Sequence, residues 1–307
     1  MSTDDGLALP IDYQARYGDG HRRTAVLGGG GIFFVAWQLS YLRTLERKGI
    51  DLGSATRIVG TSAGSVVATL LAGGRLAVAT RELGLLAKVP SVLAAMAPAD
   101  GLQPSQQRAL DLFRDATDAQ PGTVRAIGFA ALAADALPAA KLRRTLAGTL
   151  ALRGWPSAAL VTTTVDTYTG ERLAVTSAAG VSAAAAAAAS SSVPGLFSPQ
   201  PVGDRRCMDG GVSGSGTHCD LVAGAKRVVV LSLGANRKEA VPMMTIQPDA
   251  LQREVAALRD AGSDVLVRGP RTTDLDVLMD PAAVPAAMAE GQGQAEEDAP
   301  EFADFWH

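Results

Sequence analysis

Arg57-Ile58-Val59-Gly60-Thr61-Ser62-Ala63-Gly64-Ser65-Val66-Val67 is the stretch on which the fold turns. A short β-branched run enters Gly60-Thr61-Ser62-Ala63-Gly64, and a helix-forming run, Val66 to Leu71, leaves it towards Gly73-Gly74. Strand, tight turn and helix in that order are the setting of a G-x-S-x-G nucleophile elbow. Glycine is expected there because it tolerates the backbone angles of the turn and lets strand and helix approach. The Ser62 hydroxyl would then stand above the sheet at the positive end of a helix, where a developing negative charge is stabilised. An ordinary serine in a glycine-rich βα turn spells the same five letters, so the partners of the motif decide its weight.

Upstream, Thr24 to Leu27 reads as a buried strand that runs into Gly28-Gly29-Gly30-Gly31. The helix that follows carries Val35, Leu39, Leu42 and Leu45 on one face and Arg43, Glu46, Arg47 and Lys48 on the other, with Gly49 as its stop. Two successive βα units with glycine-rich turns predict a mostly parallel sheet covered by helices, an α/β protein. Residues 1–22 read as a flexible polar leader, 23–290 as a single domain and 291–307 as an acidic tail. Within the domain, 75–154 reads as a helical insertion or cap, broken at Pro90, Pro98, Pro104, Pro121 and Pro138, with Ser105 as an N-cap; plain helical packing on the sheet is the alternative.

Leu160 to Asp166 is a β-branched strand that turns at Thr169-Gly170 and returns through Arg172 to Thr176 as a hairpin. Val181 to Ala189 is an alanine-rich helix expected to pack tightly, and Asp204 to Met208 is an extended run into Asp209-Gly210-Gly211. Strands are expected at Lys226 to Leu233 and Asp264 to Arg268, and helices at Ala250 to Ala261 and Pro281 to Glu290. Beyond Gly291 the chain is expected to be disordered as far as Phe302-Ala303-Asp304-Phe305-Trp306.

With 307 residues, 47% of them hydrophobic and only 5% aromatic, the core must be filled by alanine, valine and leucine. A net charge of −3 leaves no global footprint for nucleic acid. Cys207 and Cys219 form neither a disulfide framework nor a paired-cysteine zinc spacing and are expected to be reduced and incidental; no cofactor is expected. Met1 to Gly20 holds Asp4, Asp5 and Asp12 without an apolar core, unlike a secretory signal, and no apolar run reaches the roughly 18 residues of a membrane span. The expected location is cytoplasmic, with possible transient contact at a membrane surface; the oligomeric state stays open.

A serine hydroxyl becomes a nucleophile only when a base takes its proton and something holds the oxyanion. Of the three histidines, His21 precedes the first strand and His307 ends the chain, which leaves His218. The order Ser62, Asp209, His218 fits a serine–acid–histidine triad. A gap of nine residues between the last two, within Ser213-Gly214-Ser215-Gly216-Thr217, compresses it unusually. The alternative is a two-residue arrangement in which Asp209, flanked by two glycines, takes the proton itself, its basicity raised by burial. As a plain turn residue Asp209 would bond its own backbone. Asp166, at a strand end, is a rival acid with a structural reading. Gly28 to Gly31 offer bare backbone amides for an oxyanion or for a dinucleotide phosphate. A G-x-G-x-x-G fingerprint counted from Gly29 meets Phe34 at its last position, and Asp51 sits at no strand end, which disfavours the nucleotide.

A glycine-rich loop after the first strand, G-x-S-x-G about thirty residues later and Asp209-Gly210-Gly211-Val212 far downstream together resemble the patatin-like phospholipases. Ser190-Ser191-Ser192-Val193-Pro194-Gly195-Leu196-Phe197-Ser198-Pro199 and Ala223-Gly224-Ala225-Lys226-Arg227-Val228 extend the likeness, from about Thr24 to Leu233. The resemblance implies a three-layer α/β/α fold, Ser62 as nucleophile and Asp209 as base. It also implies an oxyanion hole at Gly29, Gly30 and Gly31, with Gly60, Gly64, Gly210 and Gly211 supporting the motifs. The implied activity is hydrolysis of lipid or acyl esters through an acyl-enzyme, without metal. Acyl transfer to an alcohol or amine is the alternative, and an impaired acyl-binding protein a second. Phe33 and Phe34 depart from the family, where many relatives carry Arg or Lys and then glycine; the exchange is expected to reshape the loop or make the mouth more apolar.

Overall fold

The computed structural model describes residues 6–89, 101–237, 249–271 and 274–307; Pro90 and Pro98, two of the expected helix breaks, lie outside them. An eight-stranded mixed sheet forms the middle layer: β1 (Arg23–Leu27), β2 (Arg57–Thr61), β3 (Leu160–Asp166), β4 (Arg172–Val175), β5 (Gln200–Val202), β6 (Arg205–Asp209), β7 (Arg227–Leu231) and β8 (Asp264–Arg268). Hydrogen-bonded neighbours follow the path β5-β6-β3-β2-β1-β7-β8, with β6 and β2 sharing one edge of β3 and β4 on the other. The pairs β1–β2, β1–β7, β2–β3 and β7–β8 are parallel, whereas β4 and β6 run antiparallel to β3.

The parallel strands are apolar on both faces because both faces are covered. Ala25, Leu27, Val229 and Leu231 enter one core with α1 (Gly31–Arg47), α2 (Ala63–Ala72) and α3 (Leu76–Leu86). Their neighbours Val26, Val228 and Val230 enter the opposite core against Leu251, Val255 and Leu258, the latter three on α8 (Ala250–Asp260). One face takes every second residue, as a pleated strand requires. The chain leaves β1 for β2 on one side and reaches β7 on the other, so the carboxyl end of β1 lies at the sheet's topological switch point. Open α/β sheets form their sites there.

The region 75–154 is helical where it is described, with α3 followed by α4 (Pro104–Arg114), α5 (Pro121–Ala133) and α6 (Ala139–Leu150). Prolines mark three starts: Pro104 and Pro121 occupy the first helical position, and Pro138 caps α6. Ser105 is not the N-cap; Gln103 is, and the Ser105 hydroxyl accepts from the Asp135 amide at 3.1 Å. The alanine run forms α7 (Ala183–Ser190), every residue of it buried. Side chains this small let its backbone lie against α2, β3, β5 and β6 at once.

Two expectations about the chain ends give way. The acidic tail is not a loose segment: α9 runs from Val284 to Trp306 and packs along α1. Ala287, Gly291, Ala295, Ala299, Phe302 and Trp306 are buried at helical spacing. A Cβ on Gly291 would sit 2.5 Å from the Trp37 carbonyl oxygen, so the glycine is a close helix–helix contact rather than a break. At the other end, the described part of the leader is docked. Ala174 N–H donates to Leu7 O at 2.8 Å and Leu9 N–H to Arg172 O at 3.0 Å, so residues 7–9 run beside β4.

Candidate active site

β2 delivers Ser62 at φ 51°, ψ −122°, the first residue beyond the strand and the N-cap of α2. A non-glycine residue in that region carries about 1–3 kcal/mol of strain and needs surroundings that enforce it. Here the polyalanine helix enforces it. Ser62 N–H donates to Ser190 Oγ at 2.9 Å, and Ser62 O accepts from Ser191 Oγ at 3.1 Å and from Ser65 Oγ at 2.6 Å. The motif glycines serve differently from the sequence expectation: neither has a positive φ, and both are places of contact. A Cβ on Gly64 would lie 1.9 Å from Leu27 O, and one on Gly60 2.6 Å from Gly64 O. The strained angle belongs to the serine alone.

Asp209 reaches the same spot through strand register. β4 pairs with Thr162 to Val165 on one edge of β3; β2 and β6 therefore share the other edge. On that edge Thr61 faces Thr163 and Asp209 faces Thr164, so β2 and β6 point at each other and end in adjacent registers. Thr61 Oγ1 and Thr163 Oγ1 lie 2.8 Å apart and tie the junction, where a Cβ on Gly210 would come 2.6 Å from the same Thr163 oxygen.

The Asp209 carboxyl is wholly buried, and desolvation lifts its pKa to about 7; the nearby Ser62 hydroxyl and the Gly211 amide keep it from rising further. Oδ1 accepts from Gly211 N–H at 2.8 Å, while Oδ2 is buried without a hydrogen-bond partner among the described residues. The structure thus brings Ser62 and Asp209 together with one carboxyl oxygen uncommitted.

The glycine loop lies across the carboxyl ends of β1 and β7. Gly28 N–H donates to Leu231 O at 2.8 Å and Gly29 N–H to Gly216 O at 3.1 Å, while Gln38 Nε2, buried in α1, holds Gly28 O at 3.0 Å. The Gly29 amide is therefore occupied, and those of Gly30 and Gly31 have no acceptor among the described residues. Gly31, at φ 65°, also leaves no room for a side chain: a Cβ would meet Leu278 O at 2.3 Å. Phe33 and Phe34 do not line the cavity beside Ser62, but Phe34 packs against the glycine loop, where a Cβ on Gly30 would meet it at 2.6 Å. Both are buried, Phe34 stacking on Trp37 at 5.5 Å between ring centroids. Ile32 and Val35 present the apolar surface instead, in a cavity of about 160 Å³ that opens beside Ser62.

His218 is neither at the surface nor against the serine. Fully buried, it places Nε2 3.2 Å from Gly210 O and Nδ1 3.3 Å from Arg172 Nη1. Those partners assign the proton to Nε2, donating to Gly210 O. Burial and the adjacent guanidinium push its pKa well below the ordinary histidine value. Arg172 forks onto Asp220 at 2.7 and 2.8 Å and reaches Leu9 O and Pro10 O, joining leader, hairpin and the loop after Asp209. Asp166 is committed elsewhere: it accepts from Tyr168 and Thr169 amides in its turn and pairs with Arg205 at 3.1 Å. Sequence reasoning missed Gln38, the bracing by Ser190 and Ser191, and Arg172. The serines stood within a quoted stretch, but only spatial contact reveals what they hold.

A three-layer α/β protein whose elbow serine meets a buried carboxyl at the sheet's switch point is a narrow class. A model of the patatin-like phospholipase family matches residues 25–218, and the chain belongs to that family. No curated protein matches it. Among solved structures it is similar to the type III effector protein ExoU, with 16% identity and a TM-score of 0.36 over 90% of this chain and 53% of that one. VipD from Legionella pneumophila gives 13% identity and a TM-score of 0.36 over 98% of this chain and 70% of that one. The chain thus spans about half the length of ExoU. Among the described residues no helix is long and apolar enough to cross a membrane.

Proposed function

We propose that this chain is a serine acyl hydrolase that cleaves lipid or acyl esters with Ser62 as nucleophile and Asp209 as base. The observation that carries the reading is the Asp209 carboxyl: buried, with its pKa raised to about 7, and with one free oxygen beside a serine held at a strained angle. A carboxylate is ordinarily too weak a base for an alcohol, and burial is what brings its basicity up to the working range.

In the proposed reaction Asp209 takes the Ser62 proton as Oγ attacks the ester carbonyl carbon. The oxyanion is held by the amides of Gly30 and Gly31, which are uncommitted, rather than by Gly29, which is not. Collapse breaks the bond to the leaving alcohol, which departs with the proton from Asp209, and leaves an acyl-enzyme on Ser62. Asp209 then takes a proton from water as its oxygen attacks, and the acid is released as Ser62 is reprotonated. An impaired acyl-binding protein is the competing reading, because Phe34 packs against Gly30 of the proposed oxyanion loop; fluorophosphonate labelling of Ser62 would count against it.

The test is ester hydrolysis by Ser62→Ala and Asp209→Asn, together with labelling by a fluorophosphonate. Each substitution is expected to lower kcat on the order of 10³-fold, and the probe should mark Ser62 in the parent protein alone. Full activity in either variant overturns the assignment of that residue.

A further inference from the structure

The cavity beside Ser62 says more than that an ester binds. Its walls are built both from the surroundings of the serine motif and from elements the motifs do not include: Leu142 and Leu146, one turn apart on α6, and Leu278 and Met279 ahead of α9. Among the described residues none that lines it is charged. The two polar side chains are Ser62 itself and Ser191, whose hydroxyl is already given to Ser62 O. Beyond the Gly30 and Gly31 amides beside the serine, no lining group among the described residues can pair with a phosphate or an ammonium group, so the matching part of a substrate is hydrocarbon.

Its size then limits the hydrocarbon. The volume is about 160 Å³. A protein cavity of about 150 Å³ lined by leucine, isoleucine and phenylalanine is filled by benzene, a ligand of about six carbons. Sites for larger ligands run from about 300 Å³ upward.

Resting on the serine hydrolase reading, we propose that the acyl group accepted here is short, of about six carbons or fewer, and that Leu142 and Leu146 of α6 set this limit. On this proposal a longer chain has to push between Leu142, Leu146 and the other aliphatic lining, or lie outside the cleft, and forcing extra methylenes into a packed interior is resisted. The helical insertion is thereby the acyl-length gauge of the enzyme.

The experiment is kcat/KM across p-nitrophenyl esters from acetate to palmitate, in monomeric solution, for the parent protein and for Leu146→Ala and Leu142→Ala. The parent should peak between butyrate and hexanoate and fall by at least about tenfold at palmitate. Each alanine variant should move the peak to longer chains. The parent profile stands without either variant, should one of them fail to fold. Rates that climb through palmitate, or a peak that folded variants leave in place, overturn the length limit while leaving the hydrolase reading intact. No hydrolysis of any ester by a parent protein overturns the hydrolase reading and the limit with it.

Discussion

The elbow at Ser62 and the α1–α9 interface are built on opposite terms. At the elbow a serine sits at a strained angle, a carboxyl is stripped of water and one of its oxygens lacks a partner. Along α1 and α9 the aromatic side chains pack on one another, although Gln38 Oε1 and Gln294 Oε1 are buried without partners among the described residues. Trp37 stacks on Tyr41 at 4.5 Å, Tyr41 meets Phe302 edge-on at 5.8 Å, and Tyr41 Oη donates to Asp298 at 2.8 Å. Trp306 Nε1 donates to Asp51 O at 2.9 Å, under the Arg23 guanidinium, though the Trp37 indole nitrogen stays unpaired among the described residues. The difference sets the aromatic packing of α1 and α9 apart from the proposed catalytic pair, so the two can be perturbed separately.

The largest effect that separates them is catalytic: Ser62→Ala should abolish ester hydrolysis to within about a thousandth of the parent rate while leaving Tm unchanged or higher. Next is the reverse case. Trp306→Ala empties a fully buried site and should cost about 3–5 kcal/mol in denaturant unfolding, with kcat little changed in the protein that remains folded. An equal loss of kcat would join the two regions and break the comparison.

Asp209→Asn should show both signs at once. An aspartate whose pKa is raised to about 7 in the folded state binds a proton that the unfolded chain releases near its ordinary value of about 4. The folded protein therefore loses stability as pH rises through that window. Removing the charge should stabilise the protein at pH 8 by about 1–3 kcal/mol, and calorimetry at pH 5 and pH 8 reads the difference. In the parent, kcat/KM should rise with pH through about 7, because the base works only when deprotonated. The smallest effect concerns His218. His218→Gln retains a donor for Gly210 O and should stay near parent activity, whereas His218→Leu, leaving that carbonyl unpaired, should destabilise by about 1–3 kcal/mol. Neither variant should move the pH midpoint of activity, since Asp209 rather than His218 titrates there.

Much of the layout was legible in the sequence because it is local. β1 with its glycine loop, the serine elbow, the β3–β4 hairpin and β8 follow from apolar runs bounded by turn residues. Ser62 and Asp209 stood out because few residue types can do the chemistry. What stayed hidden depends on contacts at long range. Gly291, Gly293 and Pro300, among many acidic residues, masked the helical period of α9, although Phe302 and Trp306 carried it. β5 is three residues long and exists by pairing with β6. The docking of residues 7–9 depends on Arg172, far along the chain, and no local pattern announces it.

Because β2 and β6 abut on a single edge of β3, the spacing of Ser62 and Asp209 along the sheet is set in whole residues by strand register. A register is an integer: slipping β6 by one residue would turn Asp209 to the other face of the sheet altogether. Mutation around the cavity can therefore change its shape in small steps, while the pairing of Ser62 with Asp209 admits no intermediate settings.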